Sequence, residues 1–270
     1  MNSSYSVLMS IYYKENPLFL SLAIESILNQ SIKTNDFVIV CDGQLTTELD
    51  KVLEKFSQTN QCIHIYRLNE NKGLGNALAY GIEKCKNEIV MRMDSDDFSL
   101  PFRAERQIKI IDSGADITCG SIAEFTDDYM KTSTVRKIPL NRKAMAKFIK
   151  KRCPFNHPCV TYKKNLILSV GNYRNLPFRE DYDLWIRVFL SSCEIRNTND
   201  VLVHMRIGNG MLDRRFSKEA MTSKKIIRKE LLENKLINKT EFYLYSFSEW
   251  IVSILPMFLK KIIYRVFLRK

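Results

Sequence analysis

The 270-residue chain has little glycine or proline, 9 and 7 residues, and no CxxC pair among its seven cysteines. It also has no low-complexity stretch and no repeat of fixed period. Each absence removes a class. Without paired cysteine spacing, a zinc ribbon or finger has no ligand set. Without a period of 20–50 residues, a solenoid or propeller is excluded. The cysteines at 41, 62, 85, 119, 153, 159 and 193 are odd in number and lie mostly in apolar runs. That is the pattern of reduced, buried thiols in a cytoplasmic protein. The first residues lack a basic segment followed by a long apolar one, so no signal peptide is expected. Hydrophobic residues make up 45% of the chain, enough to build a core and too many for global disorder. The length suits one large domain, or one domain with an appendage.

Negative charge is scarce at one end. The net charge is +12, and from 201 to 270 there are 15 Lys/Arg against 6 Asp/Glu, a local net of +9. A basic end points to an anionic partner such as membrane lipid, phosphate or nucleic acid; a solvated helix face is the alternative.

In the first half, strand and helix patterns alternate. Apolar runs at 6–12, 37–41, 62–68 and 88–93 read as strands, and the segments 17–30, 45–56 and 74–85 read as helices. The βαβαβαβ order implies a mostly parallel sheet with right-handed crossovers. Ligands of such sheets bind beyond the carboxyl ends of the strands. Polar residues gather there: Tyr12 to Glu15, Asp42-Gly43, Asn69 to Gly73, and Asp94-Ser95-Asp96-Asp97. In the second half, 115–125, 134–138, 158–162 and 201–207 read as strands, and 141–151, 181–190 and 217–236 as helices.

Three carboxylates within Asp94 to Asp97 repel one another, and a divalent cation is the simplest way to order them. Hard oxygen ligands suit Mg²⁺ or Mn²⁺ and leave positions open for substrate phosphate. A second acidic group, Glu180-Asp181-Tyr182-Asp183, opens an apolar helix whose dipole would keep a carboxylate ionised, as a general base requires. Helix capping alone would also account for it. His157 reads as a packed core residue. His204 and Arg206, in one strand, could be a metal ligand and a phosphate clamp. The Gly73/Gly75 pair lacks the third glycine of a dinucleotide fingerprint and follows the third strand.

Taken in order, the motifs resemble those of family-2 inverting glycosyltransferases. They are the run from Ser6 to Pro17 with Ser26-Ile27-Leu28-Asn29-Gln30, Val40-Cys41-Asp42-Gly43, and Asn71-Lys72-Gly73-Leu74-Gly75-Asn76-Ala77. Met91-Arg92-Met93-Asp94-Ser95-Asp96-Asp97, Asn156-His157-Pro158 and Glu180 to Arg187 complete the set. Within that family the chain is similar to bacterial enzymes that build O-antigen, capsule or exopolysaccharide repeat units, such as amylovoran-type transferases. The resemblance implies a GT-A fold, with a Rossmann-like central sheet flanked by helices. It implies a catalytic domain over 1–215, split into a nucleotide-binding half (1–98) and an acceptor half (99–215), and a helical extension over 216–270.

The resemblance also assigns roles. Asp42 would read the nucleobase, with Tyr12, Glu15, Asn71, Lys72 and Asn76 around base and ribose. Asp94 would hold the ribose side with Arg92 beside it, and Asp96 the Mn²⁺ or Mg²⁺. Asp181 would be the catalytic base. His204 and Arg206 fall where the family places metal and diphosphate contacts. One departure is that the usual Asp-Asp-Gly-Ser reads Cys41-Asp42-Gly43-Gln44 here. The reaction implied moves a hexose or N-acetylhexosamine, with inversion, from a nucleotide-sugar donor, by resemblance a UDP-sugar. The acceptor would be a polyprenyl-diphosphate-linked saccharide.

The stretch 242–259 holds one charge, Glu249, in 18 residues and is followed by Lys260, Lys261, Arg265, Arg269 and Lys270. It is short for a span and fits an interfacial helix with basic anchors, peripheral on the inner face of the cell membrane. Packing on the catalytic domain, or a dimer contact, is the alternative. Two other classes compete with a transferase. A sugar-nucleotide-forming nucleotidyltransferase would open with a glycine-rich basic loop after strand one, where Tyr12-Tyr13-Lys14-Glu15 stands. A non-catalytic membrane or nucleic-acid binder would leave the four polar strand ends unexplained, so no nucleic-acid partner is expected.

Overall fold

Strand β1 (Tyr5–Ile11) alternates its large apolar residues between two cores, Val7, Met9 and Ile11 toward one and Leu8 toward the other. A strand covered on both faces in this way must lie inside a layered sheet. The computed structural model, which describes residues 3–208, 217–256 and 259–260, places it there. β2 (Asp36–Cys41) is buried at every residue and pairs with β1 in parallel. β3 (Ile63–Arg67) pairs with β2, and β4 (Ile89–Asp94) with β1, both also parallel. The crossovers are α1 (Pro17–Leu28), α2 (Thr47–Thr59) and α3 (Leu74–Lys84). Asn16 starts α1 by accepting the Leu18 N–H, with proline at the first helical position where its missing N–H costs nothing. Thr46 caps α2 in the same way.

Register aligns the strand ends. Ser10 lies opposite both Val40 and Asp94, and Cys41 lies opposite Ile11 and Arg67. The residues after each strand therefore emerge along one edge of the sheet.

Past β4 come β5 (Phe98–Ser99), α4 (Arg103–Asp112), β6 (Ile117–Cys119) and β7 (Ser121–Phe125). β8 (Val135–Arg136), α5 (Arg142–Phe148), β9 (Val160–Lys163), α6 (Lys164–Ser169), α7 (Glu180–Leu190) and β10 (Val201–Arg206) follow. Two helices, here α8 (Lys218–Glu233) and α9 (Lys239–Ile254), end the described chain. The main sheet has the order β3-β2-β1-β4-β9-β6, and β9 alone runs against the others. It is a mixed sheet with five of six strands in one sense. A second sheet, β5-β10-β7-β8, stands beside it.

The expectation of one strand over 115–125 is corrected here. The run breaks at Gly120 into β6, in the main sheet, and β7, in the small one. A Cβ at Gly120 would lie 2.6 Å from Leu202 Cδ1 and 2.9 Å from the Asp200 carbonyl. Only glycine lets the chain cross between sheets at that point.

One apolar core lies under α1, α2 and α4; the other, under α3 and α7, centres on Trp185. The rings of Phe155, His157, Tyr162 and Tyr173 surround Trp185 with centroids 5.1 to 6.4 Å away. α8 adds Ile227 and Leu231 to this second core.

A polar brace fixes the chain beyond β4. Buried Gln30 donates to Ser99 Oγ at 3.1 Å and the Leu100 carbonyl at 2.9 Å, and accepts the Ala104 N–H at 2.9 Å. Buried Arg103 donates to the Arg92 carbonyl at 2.7 Å and to Gln107 Oε1 at 2.8 Å. Replacing Gln30 with Ala would orphan these partners in a dry interior, at a cost of about 2–3 kcal/mol. Gln30→Ala is therefore expected to lower the urea midpoint clearly with an unchanged slope; a midpoint within error of the native one would refute the brace.

Candidate active site

The loop after β2 is tied to the loop before α3. Asp42 Oδ1 accepts the Lys72 N–H at 2.7 Å and Oδ2 the Gly73 N–H at 2.9 Å, while Asn71 Nδ2 donates to the Asp42 carbonyl at 3.2 Å. Gly43, at φ +85, lets the two loops touch: a Cβ there would meet Asn71 N at 2.7 Å. Asp42 is buried, and each of its oxygens already takes one backbone donor. Asn76 turns back to the Lys72 carbonyl at 2.7 Å, and the Lys72 ammonium points outward to Glu70 at 3.8 Å.

The loop after β1 meets the loop after β4. Glu15 Oε2 accepts Ser95 Oγ–H at 2.5 Å, and Tyr12 packs edge-on against exposed Tyr13 with centroids 5.8 Å apart. Along 94–97 burial alternates: Asp94 and Asp96 are partly exposed, Ser95 and Asp97 buried. Asp94 ends β4 and Ser95-Asp96 form a turn, which leaves Asp94 and Asp96 partly exposed and carries Asp97 inward.

Two arginines hold the acids from behind. Arg92, 1% exposed, donates to Asp94 Oδ1 from Nη2, and its Nε and Nη1 have no hydrogen-bond partner among the described residues. Arg206 donates from its backbone N–H to Asp97 Oδ1 at 2.7 Å, from Nε to the Asp96 carbonyl at 3.1 Å, and from Nη1 to the Thr126 carbonyl at 2.7 Å. Its guanidinium sits 3.6 Å from the Phe19 ring centroid and 4.5 Å from that of Phe125. Burial, then the carboxylates of Asp94 and Glu15, push Asp96 up to about 7 against the pull of Arg206. Burial and the same crowding raise Asp97 well above the usual carboxylate range. Burial and mutual repulsion thus outweigh the pull of the two arginines on these acids.

His204 lies in β10, two residues before Arg206. Its Nδ1 is 2.7 Å from the Tyr129 carbonyl, which can only accept, so Nδ1 carries the proton and Nε2 keeps its lone pair. Burial lowers its pKa, opposed by the Tyr129 carbonyl. Its described neighbours are Tyr129 and the Phe98 ring, not the acids of 94–97. Among the described residues, no three His, Cys, Asp or Glu side chains stand together as a complete metal cage.

The second acidic group opens α7. Asp181 Oδ1 accepts the Tyr182 N–H at 2.7 Å, and Oδ2 accepts the Cys153 thiol at 3.3 Å. Glu180 is buried; burial and then the Asp181 charge push it up to about 7, opposed in part by Arg92. Arg92 thus acts on an acid at either side, Asp94 and Glu180. His157 is buried with Nε2 2.9 Å from the Tyr173 hydroxyl, and burial drives its pKa well below normal, as expected of a packed core histidine.

The glycosyl transferase family 2 model matches residues 6–168. The chain belongs to that family. An Escherichia coli UDP-Gal:alpha-D-GlcNAc-diphosphoundecaprenol beta-1,3-galactosyltransferase is 32% identical over 98% of this transferase and 97% of that protein. The amylovoran biosynthesis glycosyltransferase AmsE of Erwinia amylovora is 34% identical over 78% and 79%. Among solved structures, S. aureus TarS 1-349 in complex with UDP-GlcNAc superposes with a TM-score of 0.67 at 18% identity, over 85% of this transferase and 66% of that chain. The Pyrobaculum calidifontis mannosyltransferase PcManGT, with GDP-Man and Mn2+, gives 0.62 at 15%, over 86% and 65%. The fold of the transferase is GT-A, as the motifs imply.

The structure of the transferase brings Glu15, Arg92, Asp94, Asp96 and Arg206 together, and Asp42 with Asn71, Lys72 and Asn76. Sequence reasoning gave no role to Ser95 or Cys153, and read Asp97 and Glu180 only as members of their acidic groups. The burial of Ser95 and Asp97 comes with the turn that follows β4. The contact of Cys153 with Asp181 spans 28 residues and leaves no mark in the sequence.

Raised acids make stability depend on pH. Asp96, Glu180 and Glu230 are each pushed up to about 7 by burial and then by neighbouring carboxylates, and burial raises Asp97 well above the usual range. A carboxyl whose folded pKa exceeds its unfolded value stabilises fully below the unfolded value, and its contribution is lost as pH rises through the folded one. His157, whose pKa burial lowers, gives a smaller change of opposite sign. The ligand-free protein should therefore melt several degrees lower at pH 8 than at pH 6. Glu180→Gln with Glu230→Gln should shrink that difference to what Asp96 and Asp97 leave; a difference as large as the native one in the double variant would refute the assignment to Glu180 and Glu230.

Proposed function

We propose that this family-2 transferase moves a hexose or N-acetylhexosamine, with inversion, from a UDP-sugar to a saccharide carried on a polyprenyl diphosphate, in the synthesis of a bacterial surface polysaccharide. The observation that carries this reading is the gathering of Glu15, Asp94 and Asp96 at the carboxyl edge of the parallel strands, with Ser95, Arg92 and Arg206 holding them there. The named relatives agree with it, one using UDP-Gal and a GlcNAc-diphosphoundecaprenol.

The donor set suits a hard divalent cation. Asp96 offers a carboxylate that proton uptake alone would otherwise relieve, and Asp94 lies beside it. His204 Nε2 keeps a lone pair, but the described neighbours of its ring are Tyr129 and Phe98, so it is left out of this donor set. Such an ion, Mn²⁺ or Mg²⁺, supplies neutralisation of the departing diphosphate. An ion held by so few carboxylates would take phosphate oxygens of the donor as further ligands.

The chain's own groups do the rest. The Asp42-anchored loop of Asn71, Lys72 and Asn76 receives the base and ribose with Tyr12 and Glu15. Arg92 steadies Asp94 and lowers the charge density under the donor. Asp181, held at the N-terminus of α7, takes the proton from the acceptor hydroxyl as that oxygen displaces the diphosphate in one step. No enzyme nucleophile is required.

A panel of UDP-galactose, UDP-glucose and UDP-N-acetylglucosamine, with a lipid-linked GlcNAc diphosphate as acceptor, tests the reaction by release of UDP. Asp96→Asn should lower turnover by roughly 10²-fold or more, and Asp181→Asn should lower kcat while calorimetric UDP binding with Mn²⁺ holds. Native turnover of Asp96→Asn in EDTA, or pyrophosphate in place of UDP, would overturn the proposal.

A lipid-linked acceptor places the reaction at a membrane surface, and α9 offers a face for it. Among the described residues, no helix is long and apolar enough to cross a membrane. Along α9, Tyr243, Leu244, Phe247, Trp250, Ile251 and Ile254 are all exposed, Trp250 by 57%. Glu249, which breaks the apolar run in the sequence, points the other way, to Arg228 Nη2 at 2.6 Å and Lys224 Nζ at 3.4 Å. An uninterrupted aromatic stripe followed by basic residues suits an anionic headgroup layer. Phe247→Ser with Trp250→Ser should abolish sedimentation with phosphatidylglycerol vesicles and leave UDP binding intact. If the double variant sediments like the native protein, the membrane reading fails.

A further inference from the structure

The segment between α5 and β9 is anchored along its length. Tyr182 hydroxyl donates to the Ile149 carbonyl, Arg228 Nη1 donates to the Lys150 carbonyl at 3.0 Å, and the Phe155 ring packs on Trp185. Between these anchors sits Cys153. Its Sγ is 3.3 Å from Asp181 Oδ2 and 3.4 Å from the Phe155 carbonyl. We propose that Cys153 is a positioning residue for Asp181, its thiol fixing the orientation of the carboxylate that accepts the acceptor's proton. The proposal rests on the reading of Asp181 as the base.

The geometry gives each carboxylate oxygen a separate tether. Oδ1 takes the Tyr182 N–H, and Oδ2 takes the thiol. With one tether the group can rotate about Cβ–Cγ; with two it cannot. Burial, then the charge of Asp181, raise the thiol well above its usual range, so it remains a protonated donor at neutral pH. A thiol has one proton and two acceptors within reach here. While Asp181 is charged the proton favours Oδ2, since bonds to ions are the stronger. When Asp181 has taken the acceptor's proton, the thiol can turn to the Phe155 carbonyl without leaving a buried donor unpaired. The tether is therefore tight before the transfer and loose after it.

A packing role for Cys153 would make different demands, which the full chain can test with the turnover assay above. Cys153→Ala removes the donor and should lower kcat about tenfold, the equivalent of one hydrogen bond to a charged group, with donor KM and calorimetric UDP binding unchanged. Cys153→Ser restores a hydroxyl donor of similar size and should return kcat to within about threefold of native. Should Cys153→Ala fail to fold, Cys153→Val fills the volume without a donor and replaces it in the comparison with Cys153→Ser. Equal kcat for the donor-less and serine variants would overturn the proposal, as would a donor-less variant at native kcat. Asp181→Asn separates the two readings. If it keeps native turnover, the base assignment falls; if it is inactive while Cys153→Ala or Cys153→Val is native, only the role of Cys153 falls.

Discussion

Like charge crowded at the end of β4 is the constraint around which the molecule is arranged. Asp94, Asp96 and Asp97 stand within four residues, and Glu15 joins them from β1 through Ser95. Left in water such a group would splay apart. Each surrounding element opposes that. Arg92 lies beneath Asp94 within β4 itself. Arg206 brings β10 against the loop, so the small sheet is pinned to the large one by the same acids. Gln30 and Arg103 fix the backbone on either side. The arrangement holds the acids in place while burial, and then their mutual repulsion, push Asp96 and Asp97 upward.

Much of this was legible before any coordinates. The first four strands and three helices follow from apolar periodicity, and the polar rim follows from the rule that ligands lie beyond parallel strand ends. The second half resisted because its decisive features are non-local. β9 reads as an ordinary strand, yet it inserts antiparallel between β4 and β6. The 115–125 run is continuous in hydrophobicity, and only the approach of Leu202 and Asp200 to Gly120 explains its division between two sheets. Glu249 shows the same limit at the other end. In linear sequence it spoils an apolar stretch; on a helix, one residue can face inward while its neighbours form an unbroken outer stripe.

The site residues divide along similar lines. Asp42, Lys72 and Gly73 each sit in a short motif and can be read from it, although the bonds that join them span 30 and 31 residues. Residues that act across the fold cannot. Arg92 influences Asp94, two residues away, and Glu180, eighty-eight away. Its Nε and Nη1 are buried and without a hydrogen-bond partner among the described residues. The sequence marks the residue as part of a motif without showing the span of its electrostatic reach.

Many of the contacts that hold the site share one construction, a side chain bound to the backbone of a distant segment. The amides of Lys72 and Gly73 donate to Asp42, and the carbonyls of Asp96 and Thr126 accept from Arg206. Beside Asp181, the carbonyls of Ile149 and Lys150 accept from Tyr182 and Arg228. Such contacts constrain one side chain of each pair and leave the identity of the backbone residue open. Cys153 with Asp181, and Lys150 with Glu241 of α9 at 3.1 Å, differ, because each needs a particular side chain at both positions. At those two pairs a single substitution breaks the link, whichever partner it falls on.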